Sequence, residues 1–330
     1  MTGDWGLHRR TELTRRDFLA RGSAITLGAA MGTSFWPGPV LEAGEVSPGS
    51  PTVFRVRAEG VVIGKRVHKR LAAEMVRRGL AAVTAETDAT RAWRALLRPD
   101  DVVALKFNRC GSESLGTTVV MAEVLIESLL EAGFPASQLV PVEVPPIVYE
   151  QYGTARPTER WQAQETSFGS GADRLAAVLD QVTAIVNIPF LKTHNIAGIT
   201  CCLKNLSHAL VKHPARFHAD HCSPFIADIV ALPAIRGKLR LHVVNALRAV
   251  FDGGPEPTEQ GTFAPEVLLF GADPVALDTV GTDLLNLKRQ GAGLPRIEAK
   301  GGQLGYLAAA ARHGLGCADF HAITVRNLAL

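Results

Sequence analysis

Residues 184–205 read AIVNIPFLKTHNIAGITCCLKN. The first seven are apolar apart from Asn187 and Pro189, which predicts a short buried strand over 184–190. A tight loop carrying Lys192, Thr193, His194 and Asn195 follows. Another apolar stretch then predicts a helix over 199–210. A strand, a tight loop and a helix in that order form the repeating unit of a parallel sheet covered by helices.

The same rhythm extends outward in both directions. Residues 102–107, 239–246 and 267–270 are short apolar runs bounded by polar or turn residues, and 139–144 is a fifth such run. Between them, residues 117–132 place Val120, Val124, Leu125, Ile126 and Leu129 at helical spacing and close at Gly133. Residues 172–179, 224–232 and 274–287 predict further helices. The polar, mixed segment 146–171 predicts an irregular or partly helical excursion. No internal repeat or low-complexity tract interrupts the pattern. The expected fold is α/β, a mainly parallel sheet with helices on both faces, in one compact domain over residues 52–330.

Ahead of that domain, residues 14–36 read TRRDFLARGSAITLGAAMGTSFW. Arg15 and Arg16 precede Phe18–Leu19 and a weakly apolar run, an order that resembles the bacterial twin-arginine export signal. The resemblance implies that residues 1–43 are a signal, with a cut after Ala43, and that the twin-arginine translocase is a partner. It implies a protein folded before export and located in the periplasm or cell envelope. Residues 44–51 then form a linker within the Pro/Gly/Ser-rich stretch 37–51. Arg21 and several Gly and Ser make the apolar run too polar for a membrane span, which needs about 20 mostly apolar residues. No other segment is long and apolar enough to cross a bilayer.

The formal charge of the 330-residue chain is +3. Five arginines and four acids lie in residues 1–43, so removing them leaves +2. A near-neutral chain with 6% aromatics has neither the basic field nor the stacking surface expected of a nucleic-acid binder. The five cysteines, Cys110, Cys201, Cys202, Cys222 and Cys317, are an odd number and contain no C-x-x-C pair. A disulfide framework and a ferredoxin-type iron–sulfur cluster are therefore not expected. Cys201 and Cys202 read as small buried residues rather than a redox pair. The absence of G-x-S-x-G, a P-loop and G-x-G-x-x-G removes the usual support for a serine hydrolase or a common nucleotide-binding protein.

Polar residues follow the predicted strands. Lys106, Asn108, Arg109 and Cys110 follow the first, Lys192–Asn195 the next, and Arg248 with Asp252–Pro255 the third. Gly271, Asp273 and Asp278 follow the fourth. Ligands bind at the carboxyl ends of strands in open α/β sheets, so these ends predict one shared crevice. Lys106, Lys192 and Lys204, with Arg109, bias it toward phosphate or carboxylate. Thr200 stands near a predicted helix start, where free N–H groups attract anions. Asp273 reads as a helix cap before Pro274, while Asp278, among apolar neighbours, needs a partner, for which a strand-end lysine is the candidate. Half of the ten histidines, His194, His208, His213, His218 and His221, crowd into one region. His218 and His221, spaced i, i+3, permit a metal site, and His194 suits acid–base work because an imidazole titrates near neutral pH.

At these residues the chain resembles the bacterial and archaeal family called domain of unknown function 362. The shared pattern comprises Lys106–Asn108, Asn187 with Pro189, Leu191–His194, Thr200, Leu203–Asn205 and His218. It continues through Asp252–Pro255 and Asp273-Pro-Val-Ala-Leu-Asp278, covering roughly residues 100–290. The resemblance implies no general activity. Some relatives carry a cysteine-rich, ferredoxin-like extension that implies redox roles, but this chain lacks those cysteines.

Together these readings give an exported enzyme, or enzyme-like protein, that binds a small anionic ligand. The candidate catalytic residues are His194, Lys192 and Asp278. Lys106, Asn108, Thr200, Lys204, Asn205 and Asp252 are the candidate ligand-binding residues. His194, His218 and His221 are candidate ligands for a divalent metal. The alternative is a non-catalytic periplasmic protein that captures a metal or an anion.

Overall fold

Strands that are apolar on both sides must be covered on both sides. The computed structural model describes residues 50–330 and has that layering. The reading of residues 1–43 as an export signal lies outside the described residues. Ten strands form the main sheet. They are β1 (Thr52–Arg57), β2 (Val103–Lys106), β3 (Leu139–Val142), β4 (Ala184–Asn187), β5 (Phe190–His194), β6 (Gly198–Thr200), β7 (Leu239–Val250), β8 (Thr262–Phe263), β9 (Val267–Gly271) and β10 (Thr324–Ala329). The order across the sheet is β10-β1-β9-β7-β4-β2-β3. Strands β3, β2, β4 and β7 run parallel to one another. Strand β9 lies antiparallel between β7 and β1, and β10 lies parallel to β1. The hairpin of β5 and β6 extends the sheet where β5 pairs with the far half of β7.

One apolar cluster fills the space between the sheet and helices α1 (Lys69–Thr84), α2 (Ala89–Leu96) and α3 (Thr118–Glu131). It takes Leu105 from β2, Val186 from β4, and Leu241 and Val243 from β7. Because side chains alternate along a strand, Lys106, Asn187 and His242 face the other way. Register places them side by side in one row, Lys106 opposite Asn187 and Asn187 opposite His242. Helices α4 (Cys202–Ser207), α5 (Phe225–Ala231), α6 (Pro274–Gly291) and α7 (Gly305–Arg312) follow later in the chain. Of these, α6 packs on β1, β5, β7 and β9, while α4 packs on α5 and α6.

The expected strand over 184–190 is two strands, β4 and β5, separated at Ile188–Pro189. Proline has no N–H to give a ladder, and the Pro189 carbonyl instead accepts from Asn245 N. The expected loop at Lys192–His194 is strand β5, because its partners are the distant β7 and the following β6. The helix expected over 199–210 begins later, since residues 198–200 are in β6, and α4 covers Cys202–Ser207 with a 3-10 turn after it. Residues 172–179 are not one helix. Gly171–Asp173 closes a small hairpin with Thr166–Phe168, and the helical turn is Val178–Gln181. The excursion after residue 145 opens with the helix Pro146–Tyr152.

Helix α1 approaches β9 so closely that a Cβ on Gly79 would lie 2.3 Å from the Phe270 ring. An Ala replacing Gly inside a helix ordinarily stabilises by roughly 0.5–1 kcal/mol. Here overpacking reverses the sign: Gly79→Ala is expected to lower stability by about 1–3 kcal/mol in urea unfolding. A gain in stability would show that α1 does not seat on Phe270 in this way.

Candidate functional site

The polar row on the sheet is knitted to α4 by one carboxamide. Asn205 Nδ2 donates to Asn187 Oδ1 at 2.8 Å and to Lys106 O at 3.3 Å. Its Oδ1 accepts from Asn108 Nδ2 at 2.9 Å and from Lys106 Nζ at 3.2 Å. Asn187 Nδ2 in turn donates to Cys202 O and to His242 Nδ1, at 3.1 and 3.0 Å. Lys106 Nζ also bonds the Phe107 carbonyl and sits 2.7 Å from Glu143 Oε2. The expectation that Lys106 holds a ligand is therefore replaced by a structural role, because carboxylate, carbonyl and amide oxygens already surround its ammonium.

Above this network opens a cavity of about 230 Å³, walled by Asn108, Arg109, Cys110, Glu143, Lys192, His194, Thr200, Lys204, Asn205, His208, Ala209 and Pro255. Lys192 and Thr200 face each other in the β5–β6 register. Lys192 Nζ donates to Cys110 O at 2.6 Å, contacts Cys110 Sγ at 3.2 Å and reaches Asn108 Oδ1 at 3.5 Å. Burial pushes the Lys192 ammonium below its usual range, with Cys110 acting in the opposite direction. Cys110 Sγ lies 3.0 Å from Glu256 Oε1, and burial, reinforced by that carboxylate, holds the thiol above its usual value. This thiol is a hydrogen-bond donor rather than a ready thiolate.

Lys204 differs from the other two lysines. It is 7% exposed, lines the cavity, and its ammonium has no hydrogen-bond or ion-pair partner among the described residues. Desolvation drives its pKa down to about 8, with the neighbouring Lys192 charge adding to the effect.

His194 Nδ1 accepts from Ile196 N and Ala197 N, both at 3.2 Å. That pattern assigns the ring proton to Nε2. Burial first, then Lys204, His218 and Lys192, lower its pKa to about 3. His194 therefore stays neutral near pH 7, with Nδ1 occupied and Nε2 available only as a donor. Acid–base work, the role expected from its position in the sequence, does not suit this geometry.

Other candidates fall elsewhere. Asp278 is wholly buried, and its oxygens accept from Cys202 N at 2.6 Å and Leu203 N at 3.2 Å. Its partner is the start of α4, not a lysine. Burial raises its pKa to about 7 despite these N–H groups. Asp252 is 2.8 Å from Arg289 Nη1 and lines a separate cleft of about 60 Å³ with His194 and Arg289. The turn that carries Asp252 lies against β5, where a Cβ on Gly254 would sit 2.0 Å from Thr193 O. Because β9 runs antiparallel, its end lies at the opposite rim from the ends of β2, β4 and β7. There Asp273 caps α6 through Val275 N and Ala276 N, as its Asp-Pro sequence predicts.

Of the histidines, His218 stacks on His194 with ring centres 6.1 Å apart, while His221 Nδ1 lies 3.0 Å from Ile196 O. His194, His218 and His221 do not converge as one ligand set; the histidine that joins His218 is His208, with ring centres 4.9 Å apart. His208 follows Lys204 by four residues, one helical turn, and that spacing was the available signal. Cys222 and Glu143 were also missed as site residues, and both depend on left-handed backbone at φ 63° and 61°, which non-glycine residues seldom adopt. All five cysteines are free, and Cys201 and Cys202 are buried as expected.

Residues 153–283 match the model of a family described as Domain of unknown function (DUF362). This supports the family likeness read from the motifs between Asn187 and Asp278, while Lys106–Asn108 falls outside the matched stretch. No curated protein matches the chain.

Removing the Asp278 carboxyl leaves two buried backbone N–H groups at the start of α4. Asp278→Ala is expected to cost about 2–4 kcal/mol in chemical denaturation. Asp278→Asn keeps an acceptor and removes a buried charge, so it should cost clearly less. Equal losses for the two variants would show that the N–H contacts are not what Asp278 supplies.

Proposed function

We propose that this chain is an exported protein that holds a small oxyanion, a carboxylate or a phosphate, in the cavity above Asn205. The observation that carries this reading is the unpartnered ammonium of Lys204. A buried cation without a counter-ion is costly, and an anionic guest removes that cost. Lys192 would supply a second positive charge, His194 Nε2–H and Thr200 Oγ1 hydrogen bonds, and Arg109 long-range attraction. The cavity is smaller than the roughly 300–1,000 Å³ of sites for drug-sized ligands, which favours a compact acid over a nucleotide.

A catalytic reading has one specific observation in its favour. A lysine with a pKa of about 8 can exchange a proton near neutral pH. Lys204, rather than His194, would then be the proton-transfer group at a bound acid. Export rests on Arg15–Arg16 and the run that follows them.

Calorimetric titration with inorganic phosphate and with a small dicarboxylate tests the binding. Lys204→Met should lose about 1.5–3 kcal/mol of binding, roughly 10- to 150-fold, the range for a charged hydrogen bond. The same change should raise unfolding stability by on the order of 1–3 kcal/mol at pH 7. Lys204 has a folded pKa below its unfolded value, so the penalty is complete below about pH 8 and fades as pH rises toward the unfolded value of 10.5. Anion affinity should fall as pH passes upward through about 8 and above, the bound anion itself raising the midpoint. Unaltered affinity and stability in Lys204→Met would reject the reading. Replacing both Arg15 and Arg16 by Lys should leave the protein in the cytoplasmic fraction; normal appearance in the envelope would refute twin-arginine export.

A further inference from the structure

His208 and His218 each leave one ring nitrogen unused. His208 Nδ1 is 2.9 Å from Ser207 Oγ, a hydroxyl that already donates to Lys204 O at 3.3 Å. The hydroxyl therefore accepts from Nδ1–H, and His208 Nε2 keeps its lone pair. That Nε2 is buried and has no hydrogen-bond partner. His218 Nδ1 is 3.2 Å from the Ala215 carbonyl, which can only accept, so its Nε2 also carries a lone pair. Metal-bound histidines are oriented in this manner, with the second nitrogen donating to an oxygen. Cys222, wholly buried, completes the group, and one donor atom from each of the three lies within 4.8 Å of the others.

We propose that His208, His218 and Cys222 form a mononuclear site for a divalent metal of the zinc class. Two neutral imidazoles and one thiolate make a nitrogen–sulfur set that suits zinc or cobalt(II) and disfavours calcium and magnesium, which take oxygen ligands. Bonds of about 2.0–2.3 Å place tetrahedral donors roughly 3.3–3.7 Å apart, so donors that now lie within 4.8 Å of one another must close by up to about 1–1.5 Å on binding. His218 is half-buried on a loop and can supply that movement. Asp220, His221 and Cys222 all hold left-handed backbone, strain that tends to accumulate at ligand-holding segments. Another cluster, Cys201, Cys202 and Asp278, has its carboxylate occupied by the start of α4 and is closed to solvent.

Three protein donors leave a fourth position, and His208 belongs to both the metal group and the cavity wall. Lys204 beside Cys222 opposes a bare dication but favours the thiolate. The metal with one thiolate carries a net +1, which an anion in the cavity neutralises. This second statement rests on the anion reading above, and it makes the guest an acid shared by the metal and Lys204.

Cobalt(II) titration of metal-free full-length protein, followed by absorption, tests the site. The expected result is one equivalent bound, with a thiolate-to-cobalt charge-transfer band and tetrahedral d–d intensity, both displaced by zinc. Cys222→Ser should abolish the charge-transfer band, and His218→Ala, at a half-exposed position, should weaken binding at least tenfold. Cys201→Ser should leave the spectrum unchanged. No band in the parent protein, or a band that survives in Cys222→Ser, overturns the metal site. Adding phosphate should then shift the d–d bands. Phosphate binding without any cobalt spectrum would remove the metal and leave the anion reading standing; a cobalt spectrum indifferent to phosphate, with no calorimetric phosphate binding, would do the reverse.

Discussion

The Asn205 carboxamide is the contact on which the site depends. Its nitrogen serves two oxygens and its oxygen receives two nitrogens, so its full hydrogen-bonding capacity is used. Those four bonds tie α4 to the ends of β2 and β4. The residue before it in α4 is Lys204, and the strand end beside it carries Asn108, which in turn reaches Lys192. A neutral amide thus fixes the backbone that carries Lys204 and the Asn108 side chain that lies 3.5 Å from Lys192 Nζ. A carboxylate at 205 would have neutralised the charge that the cavity displays.

The three lysines show how position, rather than residue type, decides the role of a cation. All are buried. Lys106 has a carboxylate partner at 2.7 Å and serves the fold. Lys192 reaches a carbonyl and a thiol, so it is hydrogen-bonded but not directly ion-paired. Lys204 has neither. This gradient runs from the sheet toward the cavity, and the unbalanced charge increases along it. His194 and His208 stand next to that charge and are held neutral, at about 3 and about 2. Both rings are therefore neutral beside the lysine charge, His194 offering its Nε2–H as a donor and His208 a lone pair at Nε2.

The layered architecture was legible in the sequence because the central strands are short, apolar runs with clear turn residues between them. Strand β2 and helices α3 and α6 stand close to where periodicity puts them. Strand β1 and the edge strand β10 beside it were not seen, since they are only partly buried and lack an unbroken apolar run. Helix α1 has Lys69, Arg70, Glu74, Arg77 and Arg78 scattered among its apolar residues, which hides its buried face from a reading by runs. The antiparallel direction of β9 has no local signature; it follows from which strand lies beside it. In the site, Lys192, Lys204, His194, Asn108, Asn205 and Thr200 do meet at one cavity, as strand-end chemistry implied. The distinction between Lys106 and Lys204 could not be read, because it depends on Glu143 arriving from a neighbouring strand. Asp278 was misread for a similar reason: an acid within an apolar helix signals a partner but does not reveal that the partner is backbone.

The reversal at β9 has a mechanical consequence. Helix α6 starts at the far rim, fixed by Asp273, and must travel back across the layer before Arg289 can grip Phe251 O and Asp252 Oδ1, each at 2.8 Å. Its 18 residues span about 27 Å, so the helix works as a gauge block between two fixed points. Inserting one residue after Thr282 would turn everything downstream by about 100° and swing the guanidinium off its turn, while Asp278, upstream, would keep its hold on α4. Chain length in this one helix thereby determines whether the turn carrying Asp252 through Pro255, whose last residue lines the cavity, is clamped or released.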